Sequence, residues 1–445
     1  MSQQEPKQKK SFHLFKLKAT ETEEGYLDRI PWFQFILLSL LFPLWAAAAS
    51  LNDILITQFK TVFTLSNFAS AFVQSAFYGG YFLIAMPASN VIKKTSYKFT
   101  ILVGLLLYTI GCSLFFPASH VATYSIFLVA IFAIAIGLSF LETAANTYSS
   151  LLGPKETSTL RLNISQTFYP IGAVSGILLG KYLIFSEGAS LEEQMKGLTG
   201  TARIQFGEEM LQKTLLPYKF IIIILIVMMI LFALTEFPKS KPKTTTNEKD
   251  AKISETLAYL AKNKEFLKGI GTQFMYIGMQ TAVWSFTIRL AMSLDPSINE
   301  RSASTYMVFS FIAFFLGKML ANFLMKKISP SKVLFIFSIL GSLSLLYIMF
   351  VHNMSAVYFT ILVSGLFGPC WATIYSQTLD TVTDKRHTAT AGAIIVMSII
   401  GGAVIPLIQG LVADWTGSMS LSFVVSLVCF IVVIIYSKNR MKKEA

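Results

Sequence analysis

Three cysteines, four histidines and 24 acidic residues are thinly spread over 445 positions. Cys112, Cys370 and Cys429 all fall inside apolar runs, where they read as small buried hydrophobes. Neither a disulfide framework nor a metal site is therefore expected. His120, His352 and His387 fall in stretches that read as loops, so a histidine proton relay is not expected either. Charge is scarce as well: 14% of residues are charged against 54% hydrophobic, which excludes an ordinary water-soluble globular protein. No nucleophile–base pair stands out, which argues against an enzyme. No terminal segment is long enough for a signalling domain, which argues against a membrane sensor. The N-terminal segment lacks an apolar core followed by a cleavage site, so it is not read as a signal peptide.

What the chain has instead is phenylalanine, 38 copies, and repeated apolar runs of about 20 residues, each long enough for a bilayer core of roughly 30 Å. Inside lipid such runs must be helical, because backbone groups find no water to bond with. Spans are predicted near 31–58, 67–92, 99–117, 122–150, 160–185, 217–237, 265–292, 303–325, 332–351, 354–380, 388–411 and 418–437. The predicted fold is an all-α membrane protein of twelve transmembrane helices in two six-helix bundles. Its parts are a cytoplasmic N-terminal segment 1–30, a bundle 31–237, a cytoplasmic linker 238–264, a second bundle 265–437 and a cytoplasmic tail 438–445. The net charge of +13 follows this topology. Loops on the outer side carry only Lys60, Lys196, Arg203, Lys213 and Arg301, so the basic excess lies inside with both termini. The charge thus reports orientation in a cytoplasmic membrane, and no nucleic-acid partner is expected. A solvated external loop is expected over 186–216.

The two halves echo each other. Val91-Ile-Lys-Lys-Thr-Ser-Tyr-Lys98 follows the second span and Leu324-Met-Lys-Lys-Ile-Ser-Pro-Ser-Lys332 follows the eighth. A short basic loop at the same place in each half marks duplicated six-helix units, the architecture of carriers that rock two bundles about a central site. Gly172, Gly176 and Gly180 recur every fourth residue in the fifth span, and Gly401, Gly402 and Pro406 interrupt the eleventh. Each set fits either close helix packing or a gating segment.

Acids inside lipid decide the functional argument. A carboxylate at mid-bilayer costs at least about 2.5–3.5 kcal/mol, so it is kept for a task. Asp53 in the first span and Glu142 in the fourth are the two such groups, and a carboxyl that alternates between dry and wet surroundings can take up and release a proton. Asn146 lies one turn from Glu142. Further polar and aromatic stripes are Gln74, Tyr78 and Tyr81; Asn163, Gln166 and Tyr169; and Gln273, Tyr276, Gln280 and Trp284. Neutral hydrogen-bonding groups among aromatic rings suit a sugar, with hydroxyls on its edges and C–H groups on its faces. Two cations also lie in spans: Arg289, near an outer end, and Lys318, which could pair with Asp380 as an inner gate. A proton-driven exporter of amphipathic small molecules, using the same fold and an aromatic cavity, is the alternative reading.

Leu141-Glu-Thr-Ala-Ala-Asn-Thr-Tyr-Ser-Ser-Leu-Leu-Gly-Pro154 and Arg161-Leu-Asn-Ile-Ser-Gln-Thr-Phe168 resemble the signature of the bacterial L-fucose–proton symporters, in the fucose/galactose/glucose–proton branch of the major facilitator superfamily. Leu51-Asn-Asp-Ile-Leu55, Val73-Gln-Ser-Ala-Phe-Tyr-Gly-Gly-Tyr81, Gln280-Thr-Ala-Val-Trp-Ser285 and Val396-Met-Ser-Ile-Ile-Gly-Gly402 extend the likeness over most of the chain. The resemblance implies alternating access around a central sugar site, with L-fucose or a related hexose as substrate, the proton as coupling ion, no cofactor and a monomeric carrier. It implies proton coupling at Asp53 and Glu142, and sugar contact or support at Gln166 and Trp45. Three departures touch the expected pocket: Ser50 replaces an Asn, Tyr169 stands where an Asn is expected, and Trp371-Ala372 replaces a Tyr-Pro pair. With these, the expected substrate-binding set is Trp45, Ser50, Gln74, Tyr78, Asn146, Asn163, Gln166, Tyr169, Gln280, Trp284 and Trp371.

Overall fold

The computed structural model describes residues 14–64, 67–183, 194–195, 197–240, 251–295, 298 and 300–444. A polar backbone threaded through hydrocarbon must satisfy itself, and the described apolar runs do so as helices. The first span is α1 (Trp32–Ser39) with α2 (Leu41–Val62), the second α3 (Asn67–Lys94), the third α4 (Tyr97–Val121) and the fourth α5 (Tyr124–Leu151). The fifth is α6 (Ser158–Gln166) with α7 (Tyr169–Leu183), and the sixth α8 (Gly200–Leu234). After a short helix, α9 (Ile253–Lys262), come the seventh span α10 (Lys264–Leu294), the eighth α11 (Glu300–Leu324) and the ninth α12 (Pro330–Phe350). The tenth is α13 (Ser355–Leu366) with α14 (Cys370–Leu379), the eleventh α15 (Thr388–Met397) with α16 (Gly401–Thr416), and the twelfth α17 (Met419–Ser422) with α18 (Val424–Glu444).

Nine of these are long and apolar enough to cross a membrane on those grounds alone, counted among the described residues. The second, fifth and seventh spans, parts of which lie outside the described residues, are not among these nine. They are also the ones carrying the Gln, Asn and Tyr stripes.

The duplicated basic loops have a local purpose. Ser96 accepts a hydrogen bond from Phe99 N and starts the third span; Ser329 accepts one from Lys332 N and starts the ninth, with Pro330 at the first helical position. The matching Lys-Lys-x-Ser sequences thus place the same cap at the same point of each half. Breaks follow proline and glycine. Pro369 has no N–H to continue the ladder, and the tenth span is interrupted between α13 and α14. A 3₁₀ turn, Ser398–Ile400, divides the eleventh span before Gly401.

Spans one to six pack as one bundle, the fourth against the second and third, the first against the fifth, and the third against the sixth. In the second bundle the seventh packs on the eleventh and twelfth, the eighth on the tenth, and the ninth on the twelfth. The glycine pairs prove to be packing surfaces. A methyl group at Gly172 would run into the backbone of Pro43, and one at Gly176 would lie 2.6 Å from the Ala47 carbonyl oxygen. Gly401 meets the backbone of Phe274 in the same way. All three cysteines are buried free thiols.

Two expectations need correction. The stretch 200–216 is helical, not a loop: α8 runs without a break from Gly200, and those 17 residues carry it about 25 Å beyond the predicted start of the sixth span. Apolar residues recurring among charged ones support it, as does the Glu209–Lys213 pair at 3.3 Å, one turn apart. His120 is also helical, in the last turn of α4.

The eighth span packs closely on the tenth where Gly317 lies on Gly365 and Gly368. Replacing Gly317 by Val should cost more than the roughly 1–3 kcal/mol typical of overpacking, because backbone must move. Gly79→Ala, at a position with open space around it, should cost little by comparison. Thermal unfolding of the two purified variants in detergent, side by side, measures the difference.

Candidate central site

Odd-numbered spans begin, and even-numbered spans end, on the face of the molecule where the described ends of the chain, Leu14 and Glu444, lie, called the terminal face below. Among the described residues five side-chain hydrogen bonds join the two bundles, and each is in the half of the spans nearest that face. Ser89 donates to Thr390 Oγ1 (3.1 Å), Thr147 and Tyr375 share a bond of 2.8 Å, and Thr159 and Ser376 share another of 2.8 Å. Asn163 Nδ2 donates to Thr373 Oγ1 (3.3 Å) and Asn322 Nδ2 to Thr167 Oγ1 (2.6 Å). Gly392 lets the eleventh span join this seam, since a methyl group there would lie 2.6 Å from Thr147 Oγ1 and 2.8 Å from the Tyr375 hydroxyl. The molecule is sealed on its terminal face.

Above the seam, at mid-span, lies Glu142. Nine residues from the end of α5, it is about 14 Å inside the bundle and 5% exposed. Its carboxyl group faces the side chains of Tyr81 and Asn146. Asn146 Oδ1 accepts a hydrogen bond from Gln166 Nε2 at 2.9 Å, so the fourth and fifth spans are tied next to the acid. Asn146 Nδ2 is buried without a well-formed hydrogen bond, and so are Thr143 Oγ1, Gln273 Oε1, the Tyr276 hydroxyl and Trp371 Nε1. These five come from the fourth, seventh and tenth spans. Leaving such groups bare costs about 1–3 kcal/mol each, so each of them would gain from a polar partner.

The expected site residues divide into several groups. Glu142, Asn146 and Gln166 come together as described, while Trp371 of the other bundle stacks on Tyr375 at 6.3 Å between ring centres, and Tyr375 bonds Thr147 of the fourth span. Gln280 lies beside the Tyr276 hydroxyl. Tyr169 is half-buried, edge-on to Phe314 of the eighth span at 6.4 Å. Tyr78 is half-buried against Phe77. Trp284 belongs to an aromatic cluster with Phe311, Phe314 and Phe367, and its indole N–H already donates to Ser364 Oγ at 3.1 Å. Asn163 is committed to the seam. Trp45 is buried inside the first bundle against Phe42, 4.3 Å between ring centres, and Ser50 packs on Gly176. Asp53 and Gln74 fall on described helices, but their side chains lie outside the described residues.

Lys318 does not meet Asp380. Its Nζ donates to the Gly368 carbonyl at 3.4 Å and lies 4.5 Å from the centre of the Phe314 ring, whereas Asp380 is exposed at the terminal face beside Lys385, Arg440 and Lys155. The break in the tenth span explains the difference, because the Gly368 carbonyl freed there gives the ammonium an acceptor inside its own bundle. Arg289 lies over the Phe286 ring at 4.9 Å and is exposed, as expected of a group reaching for the interface. Thr143 and Tyr375 were not anticipated. Thr143 is adjacent to Glu142 in sequence, which was a usable signal; the pairing of Tyr375 with Thr147, 228 residues away, leaves none.

A belt on the terminal face reinforces the seal. Helix α9 lies across it: Thr256 Oγ1 bonds His387 Nδ1 at 2.7 Å, and the Tyr259 ring stacks on His387 at 4.4 Å and bonds Thr383 at 3.0 Å. From the other bundle Lys93 Nζ donates to the Ala251 carbonyl at 2.7 Å. The N-terminal segment adds the Lys155–Glu24 pair at 2.7 Å and Lys385 over the Tyr26 ring at 5.8 Å.

A family model described as Major Facilitator Superfamily matches residues 32–297 and 270–445. The chain is 34% identical over 407 residues to the L-fucose-proton symporter of Escherichia coli, covering 91% of this chain and 92% of that protein. It is 30% identical over 408 residues to the glucose/galactose transporter of Brucella abortus, covering 91% and 93%. Among solved structures it resembles the major facilitator superfamily transporter FucP in the outward conformation, with a TM-score of 0.83 and 34% identity over 92% of this chain and 98% of that one.

Removing the Tyr259 ring (Tyr259→Ala) deletes one ring stack and two hydrogen bonds, one with Thr383 Oγ1 and a long one from the Asp384 N–H, together about 2 kcal/mol. Backbone amides over 251–263 should then exchange with deuterium roughly tenfold faster, while those of α5 keep their rates. Unchanged exchange over 251–263 would show that the belt is not held there.

Proposed function

Because the chain belongs to the major facilitator superfamily, and so is a multi-pass membrane transporter and not an enzyme, we propose that it is a proton-coupled sugar symporter. It imports a monosaccharide, L-fucose or a related hexose, by alternating access across a bacterial cytoplasmic membrane, with both termini in the cytoplasm. The proton is the coupling ion, no cofactor takes part, and a single chain suffices. The observation that carries the reading is the group of buried donors and acceptors without well-formed hydrogen bonds on the fourth, seventh and tenth spans, together with an intramembrane carboxyl group. Hydroxyls of a pyranose both donate and accept, which matches Thr143, Asn146, Gln273, Tyr276 and Trp371 taken together, and the indole and phenol rings suit its C–H faces. Relatives named for fucose, glucose and galactose support the same class of cargo, and an exporter of amphipathic compounds is not favoured by them.

In this reading the sealed terminal face is the cytoplasmic one, and the carrier faces outward. Glu142 and Asp53 take up the proton from outside. The Asn146–Gln166 bond keeps the amides aimed at the sugar. Loading lets the bundles rock, the five-bond seam parts, and sugar and proton leave together. Each inward positive charge gains about 2.3 kcal/mol per 100 mV, enough for roughly forty-fold accumulation of a neutral sugar.

Glu142→Gln keeps the size and hydrogen bonding of the side chain but cannot cycle a proton. In proteoliposomes with an inward proton gradient, the variant should lose uphill uptake of labelled L-fucose by tenfold or more while sugar exchange persists. Full accumulation by the variant counts against the coupling role. With the wild-type protein, adding the sugar outside should alkalinise the medium; no response to any hexose or deoxyhexose sinks the sugar reading.

A further inference from the structure

Lys318 has no place in the scheme above. It is 2% exposed and about 9 Å from the terminal end of α11, and among the described residues it has no carboxylate partner. A lysine at this depth is rare without a function, and long hydrogen bonding to one carbonyl leaves most of its donor capacity unused. The thiol of Cys370 is the titratable group beside it.

Its position along the eighth span is informative. Phe314, Lys318 and Asn322 follow at four-residue intervals and share one face. Both flanking residues touch the fifth span of the other bundle, Phe314 through the Tyr169 ring and Asn322 through Thr167 Oγ1. Lys318 therefore stands at the seam between the fifth, eighth and tenth spans, in the half that is shut. The Gly317 crossing with Gly365 and Gly368 fixes it to its own bundle, so it moves as that bundle moves.

We propose that Lys318 is a positioning residue of the transport cycle, a cation that the closed seam covers and the opened seam returns to water, and that it thereby favours the state opened toward the termini. The seam's neutral hydrogen bonds hold it shut, and the buried ammonium opposes them. The two together keep the sealed and opened states close enough in energy to interconvert. Removing the charge leaves the seam bonds unopposed, and the carrier dwells in the sealed state. The proposal rests on alternating access of the two bundles, but not on the identity of the cargo.

The test uses the full chain with spin labels at Glu156→Cys and Lys326→Cys, exposed positions at the terminal ends of the fifth and eighth spans. The three native thiols are buried and stay in place. In lipid, without substrate, the label distances should fall into a short and a long population. Lys318→Met should raise the short-to-long ratio at least fivefold, Lys318→Gln should act in the same direction, and Lys318→Arg should restore the wild-type ratio. With labelled L-fucose, the Met variant should lose maximal uptake rate while its external KM stays level or falls. An unchanged distance ratio in a well-folded Met or Gln variant overturns the proposal. So does a rise in KM with distances unaltered, which would make Lys318 a substrate ligand. A loss of thermal stability with an unchanged ratio also overturns it, and would leave a structural tie to Gly368. Absence of uptake of any sugar, with the distance shift intact, would instead strike at the cargo assignment alone.

Discussion

A polar atom inside hydrocarbon must find its partner within the protein, and the whole molecule is arranged around that requirement. The backbone satisfies it locally, by helices capped at Ser96, Asn263, Ser329 and Ser418. Side chains satisfy it across helices: Tyr108 donates to the Leu44 carbonyl, Ser139 to the Tyr81 carbonyl, Ser426 to Gln409. Arg161, 1% exposed, donates to carbonyls of Ser149, Ser150 and Pro154 at the end of α5, so that even a buried guanidinium closes a helix terminus. Against this background five buried side-chain atoms without a well-formed hydrogen bond, from Thr143 to Trp371, fall on the fourth, seventh and tenth spans, with others such as Ser310 and Gln409 elsewhere.

The same requirement shapes the motion. Among the described residues the side-chain bonds that join the bundles are neutral and lie in one half of the molecule, while the contacts within each bundle involve backbone against glycine. Breaking the former costs little individually, and water can replace each partner. Breaking the latter would dismantle a bundle. A division into rigid halves with a soluble seam follows from those two kinds of contact, and it is the mechanical condition for exposing a central site to one side and then the other. The belt of α9 and the N-terminal segment adds ties on the sealed face, held by the stacked Tyr259–His387 pair and by Lys93.

Hydrophobicity and polarity also trade places in a revealing way. Two of the spans that carry polar stripes, the second and the fifth, pack across the junction of the bundles, on the eleventh and on the eighth and tenth respectively. Trp284 shows the limit of that logic. Its indole was expected in the pocket, but its N–H is spent on Ser364 and its ring on three phenylalanines, so it builds the wall of the second bundle.

The number of helices, their class and the duplicated halves were legible in the chain itself, because hydrocarbon thickness fixes the length of a span and a solitary carboxyl in lipid announces itself. Glu142, Asn146 and Gln166 were expected from the chain itself: helical periodicity puts the first two on one face and Gln166 in a polar stripe of the fifth span, and the likeness to a known family points to Gln166 as well. The extension of α8 was missed because polar residues outside the bilayer obey no such length rule. Which polar groups pair and which stay bare could be decided only by the packing of helices from distant parts of the chain. Asn163 was spent on Thr373, 210 positions away, and Lys318 turned to Gly368 and not to Asp380. Sequence determines what each span must bury; only the meeting of spans determines what it buries it against.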